Sequence, residues 1–432
     1  MRPSVGETPE GAPASVTIVG ASLAGLRAAE ALRREDFAGP VTLVGDEPCL
    51  PYNRPPLSKA ALVDDWDEER VALTSAGKLA DLRLDLRLGL KATGLDVVSR
   101  ELSLADGSLL KYDGLVIATG ARARRLPGTE DLTGVLTLRT LNDARALRRR
   151  LAARPSRVVI CGAGFIGAEV ASSARSLGLD VTVLEMATVP FARILGDEMG
   201  RVCAGLQLEH GVDLRTDVGV QGVEGRTHVA AVTLTTGETL ETDLLVVAIG
   251  AVPNTEWLEG SGLAINDGVL CDETCQAAPG VVVAGDVARW PNPTSDGELM
   301  RVEHWDNAAT QAAHAVRTLL AGDGSGEAYG PVPWFWSDQF GRTIQLAGRP
   351  RPGDEVAVVA GSVEQREFAA IYGREGRLVG VLGFNKPREV MAHRRMIAER
   401  ATWHDVARST AEPDSRATSL RPVGPHGGGQ WS

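Results

Sequence analysis

The sequence predicts an α/β fold in which one strand–turn–helix module occurs twice, followed by a smaller C-terminal α+β domain. A buried, β-branched run at 16–19 meets a glycine-containing turn and then an Ala- and Leu-rich helical segment. The same pattern returns at 157–169, now with three glycines in G-x-G-x-x-G spacing. After Gly330 the pattern changes to short strands that are typical of an antiparallel sheet.

The first turn has the form G-x-S-x-x-G. Gly20 permits a tight turn, Ser22 is small enough for a pyrophosphate to approach the backbone, and Gly25 lets the helix pack closely on the strand. The helix that follows directs unpaired N–H groups and a positive dipole end toward the same point. The turn therefore predicts a dinucleotide site, and the alternative is a corner that binds nothing.

The second turn matches the dinucleotide pattern more fully. Gly162, Gly164 and Gly167 follow a buried strand, and Glu185 stands at the end of the next strand. Each feature lies where the binding mechanism requires it, so a second dinucleotide is implied. The strand at 244–250 repeats the earlier strand that ends at Gly120, so the chain contains one module twice.

Charged side chains follow the first module. Asp46 and Glu47 lie roughly 20 residues beyond the first turn, where an acid can accept hydrogen bonds from an adenosine ribose. A solvated acidic loop is the alternative for either residue. A proline-rich loop then carries Arg54 and Lys59, and its fixed φ angles suit a rigid segment beside a cofactor or a plain surface connection.

Composition excludes several classes of protein. A formal net charge of −11 argues against nucleic acid as a bulk partner. No apolar run reaches the length of a membrane span, and the polar, Pro/Gly-rich residues 1–14 do not resemble a secretory signal. The five cysteines have neither metal-site nor disulfide-framework spacing, so we expect no metal and a cytoplasmic location.

Several motifs together resemble the FAD-dependent ferredoxin reductases of the putidaredoxin-reductase and aromatic-dioxygenase-reductase type, within the pyridine nucleotide-disulfide oxidoreductase superfamily. They occur in the family's order and span residues 15 to about 405. The segments are 20–25, 54–59, 118–120, 162–169, 248–250, 284–286 and 336–339.

The resemblance implies two Rossmann-like domains, the second inserted in the first. The FAD domain would comprise 15–121 and 247–325, and the NAD domain 122–246. A C-terminal α+β domain would span 326–408, with a disordered tail at 409–432.

The same resemblance implies the site residues. Those expected to contact FAD are Gly20, Ser22, Leu23, Ala24, Gly25, Asp46, Glu47, Arg54, Lys59, Ala92, Ala118, Thr119, Gly120, Arg125, Gly285, Asp286, Trp305 and Trp336. Those expected to contact NAD are Gly162, Gly164, Phe165, Ile166, Gly167, Glu169, Glu185, Ile249 and Gly250.

Four of these residues receive specific roles. Lys59 matches the lysine that pairs with Glu169 beside flavin N5, against the alternative of a surface ion pair. Phe165 is placed to cover the nicotinamide pocket or to be a core aromatic. Glu185 would accept from the 2′-hydroxyl of NADH and repel the 2′-phosphate of NADPH, because no arginine stands directly after it.

By resemblance, NADH delivers electrons through FAD to a ferredoxin, such as a [2Fe-2S] protein, that feeds a haem or non-haem oxygenase. An NADH-sensing flavoprotein similar to apoptosis-inducing factor is one alternative, and a disulfide reductase is another, although its two neighbouring thiols are absent. Arginines at 388, 394 and 395 and in the run 145–150 are candidates for docking an acidic ferredoxin. Either a monomer or a homodimer is compatible with the sequence.

Overall fold

The computed structural model describes residues 12–64 and 67–409. Its helices, in chain order, are α1 (Leu23–Arg34), α2 (Ala60–Val63), α3 (Glu68–Val71), α4 (Ala76–Asp81), α5 (Leu141–Ala152), α6 (Phe165–Ser176), α7 (Ala192–Glu209), α8 (Trp305–Ala321), α9 (Pro387–Ala398) and α10 (Trp403–Ser409). Short 3₁₀ helices lie at Pro55–Ser58, Glu256–Leu258 and Pro293–Ser295.

The strands fall into three stretches of the chain. The first stretch contains β1 (Val16–Val19), β2 (Val41–Gly45), β3 (Leu84–Leu88), β4 (Ala92–Asp96), β5 (Glu101–Leu104), β6 (Leu109–Lys111), β7 (Gly114–Ile117) and β8 (Ala121–Ala123). The second contains β9 (Val135–Thr137), β10 (Val158–Cys161), β11 (Val181–Leu184), β12 (Asp213–Arg215), β13 (Val220–Gly225), β14 (Val229–Leu234), β15 (Thr239–Glu241) and β16 (Leu244–Val247). The third contains β17 (Ala251–Pro253), β18 (Val269–Leu270), β19 (Gln276–Ala278), β20 (Val281–Val283), β21 (Ala288–Asn292), β22 (Glu298–Arg301), β23 (Trp334–Gln339), β24 (Arg342–Gly348), β25 (Glu355–Ser362), β26 (Glu367–Arg374) and β27 (Arg377–Phe384).

Two parallel sheets form the frame of the molecule. The first has the order β19-β20-β7-β1-β2-β3, parallel from β20 to β3 with β19 antiparallel at the edge. The second has the order β12-β11-β10-β16-β9 and is parallel throughout. In both, a central strand (β1 or β10) lies between the strand that follows its helix and a strand from later in the chain. The predicted repeat of one module is therefore confirmed.

The C-terminal region is an antiparallel sheet covered by a helix. Its order is β23-β24-β27-β26-β25, and α9 packs on it through the buried Val390. A two-stranded ribbon, β8 with β17, joins the two parallel sheets where the chain crosses between them. The predicted fold class, two Rossmann-type sheets plus a C-terminal α+β part, is confirmed.

Several sequence predictions are wrong in detail. The alternation of residues 212–243 predicts one small β-meander, but β12 joins the second parallel sheet and only β13 to β15 form the meander. The apolar run 281–288 predicts a single buried strand, but the strand ends at Val283, because the chain turns at Gly285, where φ is +78°. Strands β25 and β26 were not predicted, and in β25 a bulge between Val358 and Ala360 interrupts the period of two. The predicted tail lies outside the described residues from 410 onward.

Candidate functional site

A cavity of about 1700 Å³ lies between the two parallel sheets, at the carboxyl ends of their strands. Both glycine turns line it, as do the residues after β7, β16 and β20. Ligands of open α/β sheets bind at this edge. Every residue that the sequence assigned to FAD or NAD lines the cavity except Gly25 and Gly167.

Gly25 and Gly167 instead close the corner between strand and helix. A Cβ on Gly25 would lie 1.8 Å from the carbonyl oxygen of Gly20, and one on Gly167 would lie 2.0 Å from that of Gly162. No side chain fits in either place, so both glycines permit close packing rather than ligand contact.

The helix N-termini at the two turns are open toward the cavity. Ser22, the N-cap of α1, makes no side-chain capping hydrogen bond, and the N-cap of α6 is Gly164, which has no side chain to cap with. The first N–H groups of each helix therefore remain available to an anion.

The two acids after β2 differ in their surroundings. Glu47 accepts a hydrogen bond from the Tyr52 hydroxyl at 2.7 Å and from Arg54 Nη2 at 2.9 Å. Asp46 is exposed and makes no hydrogen bond or ion pair with any of the described residues. The structure therefore favours Asp46 as the acid with free acceptor capacity.

An arginine that the sequence reasoning missed connects the regions of the two parallel sheets. Arg139 Nη2 lies 2.5 Å from Asp286 Oδ2, its Nε donates to the Ala121 carbonyl at 3.0 Å, and its own carbonyl accepts from Arg54 at 2.5 Å. The nearby Tyr52 hydroxyl accepts from the backbone N–H of Leu141, and burial raises the pKa of Tyr52 well above its usual value. The spacing between motifs gave no signal for Arg139, because it belongs to no glycine turn.

Arg125, which was predicted, lines the cavity with an exposed side chain.

Lys59 and Glu169, predicted as a pair, are in contact. Lys59 Nζ lies 2.9 Å from Glu169 Oε1 and also donates to the Pro55 carbonyl at 3.1 Å. The Glu169 side chain is 4% exposed and that of Lys59 is 20% exposed. The pair is therefore an internal ion pair that faces the cavity and not a surface one.

The Glu169 carboxylate has two further donors that the sequence did not indicate. The Ser58 hydroxyl donates to Oε2, and the Ser337 hydroxyl donates to Oε1 at 2.6 Å. Three donors thus surround a buried carboxylate, which is the condition under which a buried charge is stable.

Aromatic rings line the remaining wall. Phe165 packs on Phe191 and on Phe335 with ring centroids 4.9 and 4.8 Å apart. Trp305 and Trp336 meet edge to face at 6.3 Å, and the Trp305 indole N–H donates to Asn53 Oδ1 at 2.8 Å. Phe165 therefore lines the cavity and also belongs to an aromatic cluster, which combines both readings of the sequence.

His304 is a cavity residue that the sequence reasoning passed over. Its ring packs against Phe335 at a tilt of 46°, with centroids 4.8 Å apart, and its Nδ1 is buried without a hydrogen-bond partner among the described residues. Burial lowers the pKa of His304 to about 4, although Asp286 and Asp306 oppose the change. The imidazole is therefore neutral at physiological pH.

Glu185 is oriented by the backbone. Its carboxylate accepts from the N–H groups of Ala163 and Ala187, each at 2.9 Å, and retains further acceptor capacity on both oxygens. The sequence reasoning considered only the two residues after Glu185 for an arginine. Arg193, eight positions further on, lines the same cavity and makes no ion pair within the described part of the chain.

The cysteines do not form a redox pair at the cavity. Among the described residues that line it, Cys161 is the only cysteine, and burial raises its pKa to about 11. Residues 12–64 and 67–409 contain no cluster of side chains that could hold a metal ion. Over the same residues, no helix is long and apolar enough to span a membrane.

Comparison with known proteins gives consistent matches over most of the chain. The family model described as "Pyridine nucleotide-disulphide oxidoreductase" matches residues 14–312, and the model described as "Reductase C-terminal" matches 334–419. Rhodocoxin reductase of Rhodococcus erythropolis is 41% identical over 389 residues, covering 89% of each chain. The ferredoxin reductase component of chlorobenzene dioxygenase from Cupriavidus sp. (strain PS12) is 38% identical over 390 residues, covering 89% of this chain and 93% of that protein. The solved covalent complex of putidaredoxin reductase with putidaredoxin matches with a TM-score of 0.85 at 33% identity, over 91% of this chain and 95% of the other.

Proposed function

Because the chain belongs to the pyridine nucleotide-disulphide oxidoreductase family, we propose that it is a ferredoxin reductase of an oxygenase system. It is an FAD-dependent oxidoreductase that takes electrons from NADH and passes them to a ferredoxin. We call each glycine turn, together with the helix N-terminus that follows it, a cradle: the first lies at 20–25 and the second at 162–167. The observation that carries this function is that both cradles and the Lys59–Glu169 pair face one cavity. The absence of a cysteine pair among the described cavity residues weighs against disulfide reduction.

The residues present fit FAD and NADH. A Cβ on Gly20 would lie 2.1 Å from the Ala118 carbonyl, and one on Gly162 would lie 2.4 Å from that of Ala248, so both turns need the space that glycine leaves. When bound, FAD accepts a hydride from NADH and releases electrons singly. The first turn, Asp46 and Asp286 would hold FAD, and the second turn and Glu185 would hold NADH.

Lys59 and Glu169 supply electrostatics rather than proton transfer. The Lys59 ammonium stabilises the negative charge that accompanies reduction, and Glu169 fixes the position of that ammonium. Because hydride transfer requires no general base, the neutral His304 is compatible with the site. The ring of Phe165 would cover the nicotinamide position.

Glu185 would select NADH. An ionised carboxylate accepts from a ribose diol and repels a phosphate at the same place. Arg193 lines the same cavity and makes no ion pair with the described residues, so its charge opposes this preference to some degree. We therefore expect NADH to be preferred without complete exclusion of NADPH.

The domain division is part of the proposal. Its support is that the first parallel sheet contains strands from 16–117 and 276–283, whereas the second contains strands from 135–247. The β8–β17 ribbon marks both crossings between them. We propose boundaries near 121, 246 and 325, and a cytoplasmic protein that works as a monomer or homodimer without nucleic acid or membrane partners.

The docking surface for ferredoxin is also proposed. Of the three arginines suggested on α9, Arg394 is engaged with Asp306 at 2.7 Å and Arg395 with Glu399 at 2.9 Å, whereas Arg388 is exposed. Arg388 is therefore the best candidate among them for contact with an acidic ferredoxin.

Anaerobic stopped-flow spectroscopy tests the function. NADH should bleach the flavin absorbance, and a [2Fe-2S] ferredoxin should restore it. Reduction by NADH without any transfer to iron–sulfur proteins would support the NADH-sensing alternative. A purified protein that binds no flavin would contradict the proposal.

A further inference from the structure

One face of α6 is held by the C-terminal sheet at two positions one helical turn apart. Phe165 packs on Phe335, with centroids 4.8 Å apart, and Glu169 accepts a hydrogen bond from Ser337 at 2.6 Å. Residues four apart share one face of a helix, and residues two apart share one face of a strand. Phe165 and Glu169 of α6 therefore face Phe335 and Ser337 of β23. The C-terminal sheet thus contributes a donor directly to the Lys59–Glu169 pair.

The Ser337 hydroxyl has a fixed orientation. Gln339 Nε2 donates to its oxygen at 3.2 Å, so the hydroxyl proton is directed to Glu169 Oε1. All three residues are buried, with whole-residue exposures of 0% for Ser337, 2% for Gln339 and 3% for Glu169. A hydroxyl that accepts from an amide and donates to a carboxylate makes a stronger and more directional bond than one that faces solvent.

Lys59 and Ser337 share one oxygen of the carboxylate. Lys59 Nζ lies 2.9 Å from Oε1, the atom that also receives the Ser337 proton, whereas Ser58 donates to Oε2. Removing the Ser337 donor would leave the Lys59 ammonium as the one donor to Oε1 among the contacts described. The carboxylate could then rotate, and the ammonium would follow it.

We propose that Ser337 is a positioning residue for the NADH-dependent reaction: from the C-terminal sheet it fixes Glu169, and through Glu169 it fixes the Lys59 ammonium at the flavin. This inference rests on the proposed function and deepens it, because it makes the C-terminal region part of the site that receives electrons from NADH. A small displacement of an oriented charge is costly when the reaction depends on its position.

The chain offers a matched control. Ser172, also on α6, accepts a hydrogen bond from the backbone N–H of Phe340 at 2.7 Å. Ser172→Ala therefore removes another bond between α6 and the C-terminal region without touching Glu169. The variants to compare are Ser337→Ala, Ser172→Ala, Glu169→Gln and the Glu169→Gln/Ser337→Ala double variant.

Two quantities are measured on the FAD-loaded proteins: the rate of flavin reduction at saturating NADH and the midpoint potential of the flavin. We expect Ser337→Ala to lower the rate about 10-fold, and Ser172→Ala to change it less than about twofold. The potential should shift in Ser337→Ala in the same direction as in Glu169→Gln and stay unchanged in Ser172→Ala. In the Glu169→Gln background, Ser337→Ala should have little further effect.

Equal behaviour of Ser337→Ala and Ser172→Ala would overturn the inference, as would a Ser337→Ala effect that persists in full without the Glu169 carboxylate. If Ser337→Ala does not fold, Ser337→Cys preserves the side-chain size with a weaker donor and answers the same question. Failure of the proposed function is distinguishable, because the unmutated protein would then not be reduced by NADH or would not pass electrons to ferredoxin.

Discussion

The first and the second glycine turn are closed by the same kind of contact. Gly20 has a φ of +118° and Gly162 a φ of +105°, and a Cβ on either would meet a carbonyl oxygen of the neighbouring strand at 2.1 or 2.4 Å. The helices after the turns are equally free of side-chain caps. The backbone therefore provides two equivalent cradles.

The side chains around the cradles differ. Beside the first cradle, Arg54, Arg139 and Asp286 form a connected network of hydrogen bonds and ion pairs. Beside the second, Ile166 and Arg193 are exposed. The comparison indicates that a fixed network suits a dinucleotide that is retained, and an open wall suits one that enters and leaves. The predictions below test this difference.

The largest effect is expected at the turns themselves. Gly20→Ala forces a side chain into the left-handed region and against the Ala118 carbonyl, which should destabilise the protein by about 3 kcal/mol or more and abolish flavin binding. Flavin absorbance per protein and urea unfolding measure both.

The matched change at the second turn is Gly162→Ala. It should leave a yellow protein that NADH reduces poorly, because the obstruction lies at the other cradle. Loss of flavin from Gly162→Ala with retention in Gly20→Ala would reverse the assignment of the two cradles.

Between the cradles, Lys59→Met should slow reduction of the flavin by NADH about 100-fold, as loss of one preorganised charge does in other active sites. The substitution also leaves Glu169 buried without its cation. Stopped-flow traces of the flavin absorbance measure the rate. Lys78→Met, at an exposed lysine of α4 outside the cavity, is the control and should react as the unmodified chain does.

The acids that follow the two cradles should have different roles. We expect Asp46 to act in the retention of FAD and Glu185 in the selection of NADH over NADPH. Glu185→Gln should lower the preference of kcat/KM for NADH over NADPH about 10-fold, because the repulsion of the 2′-phosphate is removed. Asp46→Asn should weaken flavin retention and leave that preference unchanged. A loss of preference in Asp46→Asn would contradict the distinction between the two cradles.

The sequence was sufficient for the frame and for the backbone part of the site. The periodicity of the buried strands and the glycine spacing predict both parallel sheets, because φ and close packing constrain residues such as Gly20 and Gly162 locally. The pairing of Lys59 with Glu169 came from the resemblance, since no local rule joins residues so far apart in the chain.

The missed residues share a physical cause. Arg139 and Ser337 reach the site from other units, through contacts with Asp286 and Glu169 that depend on how the units pack. His304 was missed because its property is burial of an orphan nitrogen, and burial is not visible in a motif. Tertiary packing decides each of these, and no period or spacing encodes it.

The smallest expected effect is a loss of folding stability at acid pH. His304 lies close enough to Asp286 for their charges to interact, and its folded-state pKa of about 4 lies below the ordinary 6.5. The folded protein therefore binds fewer protons here than the unfolded chain, so this contribution to stability is complete above pH 6.5 and is lost as the pH falls toward 4. Because the ring borders the open cavity, we expect a loss of roughly 1 kcal/mol rather than the full value of the pKa shift. Urea unfolding of the flavin-loaded protein and of His304→Asn at several pH values measures it. The variant should lose less stability between pH 6.5 and 4, and equal slopes would show that acid acts on the first cradle through other groups.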